Sequence, residues 1–369
     1  MVSPLEPLLA WLRTGTTAGE RLDFPTGTAL PDGRLDLCKQ DLGPGGAAQV
    51  AEALRPGVVK HLLLGTDGLG DGAAEVAGAA VEREVETLYL GCNGITAGGA
   101  CRIADNLRMS PQASRVTGVW LKRNPIGDGD AAAALVESAR SLRTLDLVQT
   151  DLDATAVQRL AAAMITAAAA GRPVERLYVG GNPLGPAGAT HLAALLAADA
   201  VSELYVSAAG LGDNGAHTIA DVLVPGRLRR ISLASNGIGP QTAARLVAAA
   251  AQAGVEVCDL GRVKAAGVLG AQDNRLDSAA TTAIADALAQ RPHRLRHLVL
   301  SNTGLGSQAA HRLLDGAQRA ATPTRFVLGK GVAGSIRRRL DALSAAIPQR
   351  PPVSADVAAV RSVHRQPLD

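Results

Sequence analysis

The chain has 369 residues, of which 47% are hydrophobic and 19% charged, so it is too apolar to stay disordered and longer than the ~250–300 residues at which one globular core usually stops growing. That leaves two domains or a repeat array. Its 37 basic against 34 acidic residues give a formal charge of +3, a near-balance that excludes any general attraction to nucleic acid or to an anionic membrane.

Residues 1–33 match no repeat. They begin MVSPLEPLLAWLRTG, with Glu6 ahead of a short apolar stretch and no basic leader, so no secretory signal is expected. Leu5 to Leu12 reads as a short helix that closes the first repeat, an N-terminal cap. The repeats run over residues 34–328. The unit reads L-x-L-x-x-N-x-L-G-x-x-G, then an Ala/Leu-rich stretch, and recurs about every 27 residues. Copies starting at Leu88, Leu177 and Ile231 show it plainly, and those at Leu35, Leu62, Val119, Leu145, Leu204 and Leu298 carry Gln, Asp, Asn, Thr or Ala in the asparagine slot. A tenth begins at Cys258 and resumes at Asn274 after about eleven extra residues. The insertion, 261–273, is expected at the rim of the sheet.

Each slot has a physical reason. L-x-L alternates as a short strand buried on one face must. The asparagine side chain can hold backbone groups that the strand leaves unpaired as the chain turns away. Small or apolar residues at i, i+4 and i+8, such as Gly99/Ile103/Leu107 and Gly188/Leu192/Leu196, form one face of a helix. A single strand and helix cannot bury their apolar faces, whereas about ten stacked units can. The predicted fold class is therefore α/β, a horseshoe or arc with parallel strands on the concave face and helices on the convex one. Spacing between L-x-L motifs lengthens before Leu121 and before Val179, which predicts longer helices or loops there. Beyond the repeats, 329–347 reads as a C-terminal cap helix with Arg337, Arg338 and Arg339 on its polar side, and 348–369, opening Pro-Gln-Arg-Pro-Pro, as a flexible tail.

The unit L-x-L-x-x-N-x-L/I-G-x-x-G-A with its Ala/Leu helix resembles the ribonuclease-inhibitor-like leucine-rich repeats, also found in Ran GTPase-activating proteins and NOD-like receptors. The resemblance covers residues 34–328 and implies the solenoid just described. Because its consensus slots are structural, it implies a scaffold and names no single partner.

Only seven residues are aromatic. Four of them, Tyr89, Trp120, Tyr178 and Tyr205, occupy the x of L-x-L, the slot that points out of the concave sheet, and Asp146 fills it in the fifth repeat. Strands about 4.8 Å apart would set these side chains in one ladder facing water, and Tyr and Trp are the residue types most enriched at binding hot spots. Lys122 and Arg123 follow in the same repeat as Trp120, and with Arg143, Glu175, Arg176 and Glu203 they offer a polar rim. The expected partner is thus a protein or peptide on the concave face, met by Tyr89, Trp120, Lys122, Arg123, Asp146, Tyr178 and Tyr205.

Signals of chemistry are poor. The glycine clusters at 43–46 and 68–72 keep phase with the repeat and are its turns rather than phosphate loops. His293 and His297 precede a strand, which is poor placement for a shared metal. Cys38 and His61 fall near one edge of neighbouring repeats, where a nucleophile and base would have to meet. The four cysteines show neither a disulfide framework nor a zinc knuckle, so a reducing cytoplasm fits them best. Neither catalysis, nor a cofactor, nor a metal, nor specific nucleic-acid or membrane binding is expected. The alternative, implied by the Ran GTPase-activating resemblance, is regulation of a small GTPase, with Arg123 the first arginine to inspect. The Ala, Gly and Arg bias suggests a GC-rich bacterial gene, which disfavours that alternative.

Overall fold

The structure, a computed structural model, describes residues 3–364. The chain divides into two compact units: Met1–Leu152 with Ala162–Val174 and Val353–Asp369, and Asp153–Ala161 with Glu175–Pro352. Each unit is a stack of parallel strands backed by helices.

In the first unit α1 (Glu6–Thr14) precedes a short antiparallel lead-in, β1 (Leu22–Asp23) and β2 (Thr28–Ala29), which pairs with β3 (Arg34–Asp36). The sequence gives no periodic sign of that lead-in. From β3 the pairing is parallel through β4 (His61–Leu63), β5 (Thr87–Tyr89), β6 (Gly118–Trp120) and β7 (Thr144–Asp146). The returning helices are α2 (Gly43–Ala53), α3 (Ala73–Glu82), α4 (Ala97–Met109) and α5 (Gly129–Ser138). The residues of α6 (Ala154–Ala169) are divided between the units. In the second unit β8 (Arg176–Tyr178), β9 (Glu203–Tyr205), β10 (Arg230–Ser232), β11 (Val257–Asp259), β12 (His297–Leu300) and β13 (Arg325–Leu328) pair in parallel. They alternate with α7 (Gly185–Ala197), α8 (Gly212–Val222), α9 (Pro240–Gln252), α10 (Ser278–Gln290), α11 (Ser307–Arg319) and α12 (Gly334–Leu343). A last short helix, α13 (Ala355–Ala359), returns to the first unit.

Leucine register decides the stacking. Leu35, Leu62, Leu88, Val119 and Leu145 pair in sequence in the first unit, as do Leu177, Leu204, Ile231, Cys258, Leu298 and Phe326 in the second. Leu90, Leu121, Val179, Val206 and Leu233, the second leucines of their repeats, are fully buried. Where helices approach closely, small residues are obligatory: a Cβ on Gly316 of α11 would lie 2.6 Å from that of Ala285 on α10. The two lengthened repeats are explained by a 3-10 turn at Pro111–Arg115 and by the 16 residues of α6.

Where the slot holds asparagine, its side-chain amide ties the turn to the preceding repeat, one rung of a ladder. Asn124 accepts from the N–H groups of Asn93 and Ile95 at 2.9 and 3.1 Å and donates to the carbonyls of Leu90 and Leu121. Asn236 and Asn274 do the same in the second unit. Where the next slot holds Thr150 or Ala209, the orphaned donor turns inward instead: Ile126 N–H bonds the Asn124 carbonyl and Leu184 N–H that of Asn182. Just before the slot the backbone is left-handed, at Lys39, Thr66, Cys92, Arg123, Gln149, Ala208, Ser235 and Asn302, with φ between 54° and 67°. That conformation costs a non-glycine residue about 1 kcal/mol, and the ladder on both sides of the turn enforces it.

Candidate binding face

Strand alternation turns two columns of side chains away from the helices: the residue before the first leucine of each repeat, and the x between the leucines. The expected aromatic ladder falls into two groups, one per unit. In the second unit Tyr178 and Tyr205 stack with ring centroids 4.3 Å apart and planes 5° from parallel, and both are half-buried. The Tyr205 hydroxyl donates to the Glu203 carboxylate at 2.6 Å, and burial raises its pKa far above the ordinary tyrosine value, so it remains a donor. Below the rings the preceding column alternates in sign: Glu203 lies 3.5 Å from Arg176 and 3.7 Å from Arg230. Glu175, Arg176 and Glu203 thus form part of the expected polar rim.

In the first unit the expectation of rings facing water fails. Tyr89 and Trp120 are 1% and 6% exposed, and every x residue there, Asp36, Leu63, Tyr89, Trp120 and Asp146, is buried. The rings tilt together at 6.5 Å, and the Lys122 ammonium sits 5.6 Å over Tyr89, a cation–π contact. The chain's own C-terminal segment explains the burial. Thr144 on β7 donates to the Asp356 carboxylate at 3.4 Å, and at the other end the Arg34 guanidinium on β3 donates to the Arg361 carbonyl. The buried Asp36 carboxylate accepts from the Ser362 hydroxyl at 3.0 Å and from Val363 N–H at 2.5 Å, while the Thr28 hydroxyl meets the His364 imidazole at 3.3 Å. Tied to β7 and β3, the segment passes over the strands between, and Ala359 and Val360 within it are buried.

The preceding residues are held as well. In the second unit Arg325 donates to the Ser344 and Ile347 carbonyls, His297 Nε2 to the Pro348 carbonyl at 2.8 Å, and Arg230 to the Pro352 carbonyl at 2.6 Å. Because that acceptor is a carbonyl, Nε2 carries the proton, and burial holds the His297 pKa below the usual imidazole value. The stretch expected to be flexible is therefore bonded to the strands from 348 to 364; residues 365–369 lie outside the described residues. Arg34, Arg230 and Arg325 were not singled out in the sequence, and His297 was weighed there only as a metal ligand, although all four occupy the column just before the first core residue of the strand.

Two other expected site residues have internal roles. Asp146 is 3% exposed and caps its own turn through Val148 N–H at 2.9 Å. Arg123 is exposed in the left-handed turn position, where its Nε donates to Gln149 at 2.7 Å. Cys38 and His61 do not meet: His61 pairs with Arg34, four residues and roughly 13 Å along the strand direction from Cys38. His61 bonds Thr87, and Cys38 is fully buried. Among the described residues no group of three or more His, Cys, Asp or Glu side chains could hold a metal, and no helix is long and apolar enough to cross a membrane. The 261–273 insertion folds back along the turns of the second unit. Gln272 accepts from Gly237 N–H, and with Leu269 and Gly270 it walls a cleft of about 560 Å³ opposite Asn182 and Pro183.

No protein-family model matches the chain, and no curated protein matches it in sequence. Solved structures do match. A chain of the yeast Rad7–Elc1 complex is 15% identical, with a TM-score of 0.54 over 82% of this chain and 70% of that one. The fold is a leucine-rich-repeat solenoid. The leucine-rich-repeat protein LegL7 of Legionella pneumophila is 16% identical, with a TM-score of 0.48 over 84% of this solenoid and 89% of that chain.

Proposed function

We propose that this solenoid, of the ribonuclease-inhibitor kind, is a non-enzymatic scaffold that holds a protein or peptide on its concave sheet face. The stacked pair Tyr178–Tyr205 carries the reading. Two rings in contact, partly exposed and flanked by alternating charges, are preordered apolar area in a polar frame, the composition of an interface hot spot. The four cysteines form no disulfide, which supports a reducing compartment such as the cytoplasm. The likeness of the fold to a chain crystallised in a protein complex is in keeping with protein binding.

The test begins with affinity capture to identify the partner and proceeds to measured Kd values. Tyr178→Ala and Tyr205→Ala should each cost about 2 kcal/mol of binding, roughly thirtyfold. Neither should unfold the chain, because both rings lie on the sheet surface and are only partly buried. A double variant that keeps its Kd while remaining folded removes this face from consideration.

A further inference from the structure

The face of the first unit is already filled, and its filling has the form of a bound peptide. Between β3 and β7, the strands to which the segment 354–364 is bonded, the outward slot holds Leu63, Tyr89 and Trp120, all buried, an apolar floor with two aromatic rings. At one end of the floor is a fully buried carboxylate, Asp36, which accepts from Cys38 N–H of its own turn and from a hydroxyl and a main-chain N–H of the segment. Beside it Arg34 takes a main-chain carbonyl. The segment itself is slight. Its helix α13 has five residues, too few to persist alone, and within it only Ala359 and Val360 bury side chains fully, while Val353 and Val363 are 43% and 40% exposed. It follows the proline-rich stretch Pro348-Gln-Arg-Pro-Pro352, a connection with little structure of its own.

We propose that residues 353–364 are a ligand docked in cis, and that the face beneath them is a peptide site for a partner segment of the same chemistry. That partner is a short apolar helical turn followed by a second, non-helical turn in which a Ser or Thr hydroxyl and the next main-chain N–H together meet Asp36. The inference deepens the scaffold reading and rests on it. The full chain is closed at this face, and a partner competes with the chain's own segment.

Val360→Asp in the otherwise intact chain opens the face by placing a charge over the apolar floor. The probe is a fluorescein-labelled peptide of residues 353–364, read by anisotropy. The Val360→Asp protein should bind it with a micromolar Kd, and the parent chain at least about tenfold more weakly. Adding Asp36→Asn to the opened protein should weaken the peptide by about tenfold or more. A chain ended at Pro352 serves as the second opened protein, with far-ultraviolet circular dichroism to show that it is folded. The proposal is overturned if neither opened protein binds the peptide, or if the parent binds it as tightly as they do. Partner binding that still depends on Tyr178 and Tyr205 while the peptide fails sinks this inference alone; loss of both sinks the scaffold reading too.

Discussion

Asn236→Ala should lower unfolding free energy by about 3–5 kcal/mol, as read by denaturant titration, a large effect for one side chain of modest size. The amide is 2% exposed and serves four main-chain groups: it accepts from Ala209 and Leu211 N–H at 2.9 and 3.3 Å and donates to the Val206 carbonyl at 2.9 Å and, more weakly, to that of Ala234 at 3.4 Å. Removing it leaves buried donors and an acceptor, each costing about 1–3 kcal/mol when unsatisfied. Leu211 N–H has a way out, because Leu184 N–H, facing the natural Ala209, takes a carbonyl two residues back. Ala209 N–H and the Val206 carbonyl have no such shift on display, which keeps the predicted loss above that of an ordinary surface change. A variant that unfolds at the same denaturant concentration as its parent would show that the ladder is ornamental.

The second large effect has the opposite sign. Asp67 occupies the same slot one repeat before Asn93, is fully buried, and has one carboxylate oxygen without a hydrogen-bond partner among the described residues. Burial pushes its pKa up to about 6, against the pull of the Gln40, Leu42 and Asp41 backbone N–H groups and with help from the charge of Asp36. A raised carboxyl pKa means that the folded state holds its proton more tightly than the unfolded chain. Stability from this group is therefore fully present below about pH 4 and is lost as pH rises through about 6. Two pKa units correspond to about 3 kcal/mol. Asp67→Asn does not titrate, and its amide can donate to the carbonyls of Leu64 and Leu37, as Asn93 donates to those of Leu90 and Leu64. The variant should be more stable than its parent by about 2–3 kcal/mol at pH 8, with the advantage shrinking toward pH 4. A pH-independent difference would place the benefit in hydrogen bonding alone, and a destabilised variant would refute the assignment.

The repeat could be read from the sequence because its leucines, asparagines and glycines do the same work in every turn. Repetition makes the slots visible even where Gln40, Asp67, Thr150 or Ala209 substitutes. The outward slot was legible for the same reason, and Tyr89, Trp120, Tyr178 and Tyr205 do occupy it. Exposure at that slot was not legible, since it depends on a segment with no periodicity of its own. That segment is gripped largely by its main chain, through the carbonyls of Pro348, Pro352 and Arg361 and the N–H of Val363, and such groups are present whatever the side chains are. The left-handed turn position is hidden for a related reason. Lys39, Thr66, Cys92, Arg123 and Gln149 share no chemistry, because the geometry is imposed by neighbouring turns rather than by the residue itself.

Asn274 sits fourteen positions after Leu260, yet it bonds Asn236 and Ile238 on one side and the Leu233 and Leu260 carbonyls on the other, just as Asn124 does from three positions after Leu121. The column therefore measures bonds, not residues. Whatever chain is spooled out between Gly261 and Asp273 leaves the phase of the repeats on either side unchanged, so this interval can lengthen, shorten or change sequence without moving the next strand. It is a cassette: a position where a solenoid can acquire a new recognition loop in one genetic step, and where a foreign peptide can be grafted for display with both ends already anchored.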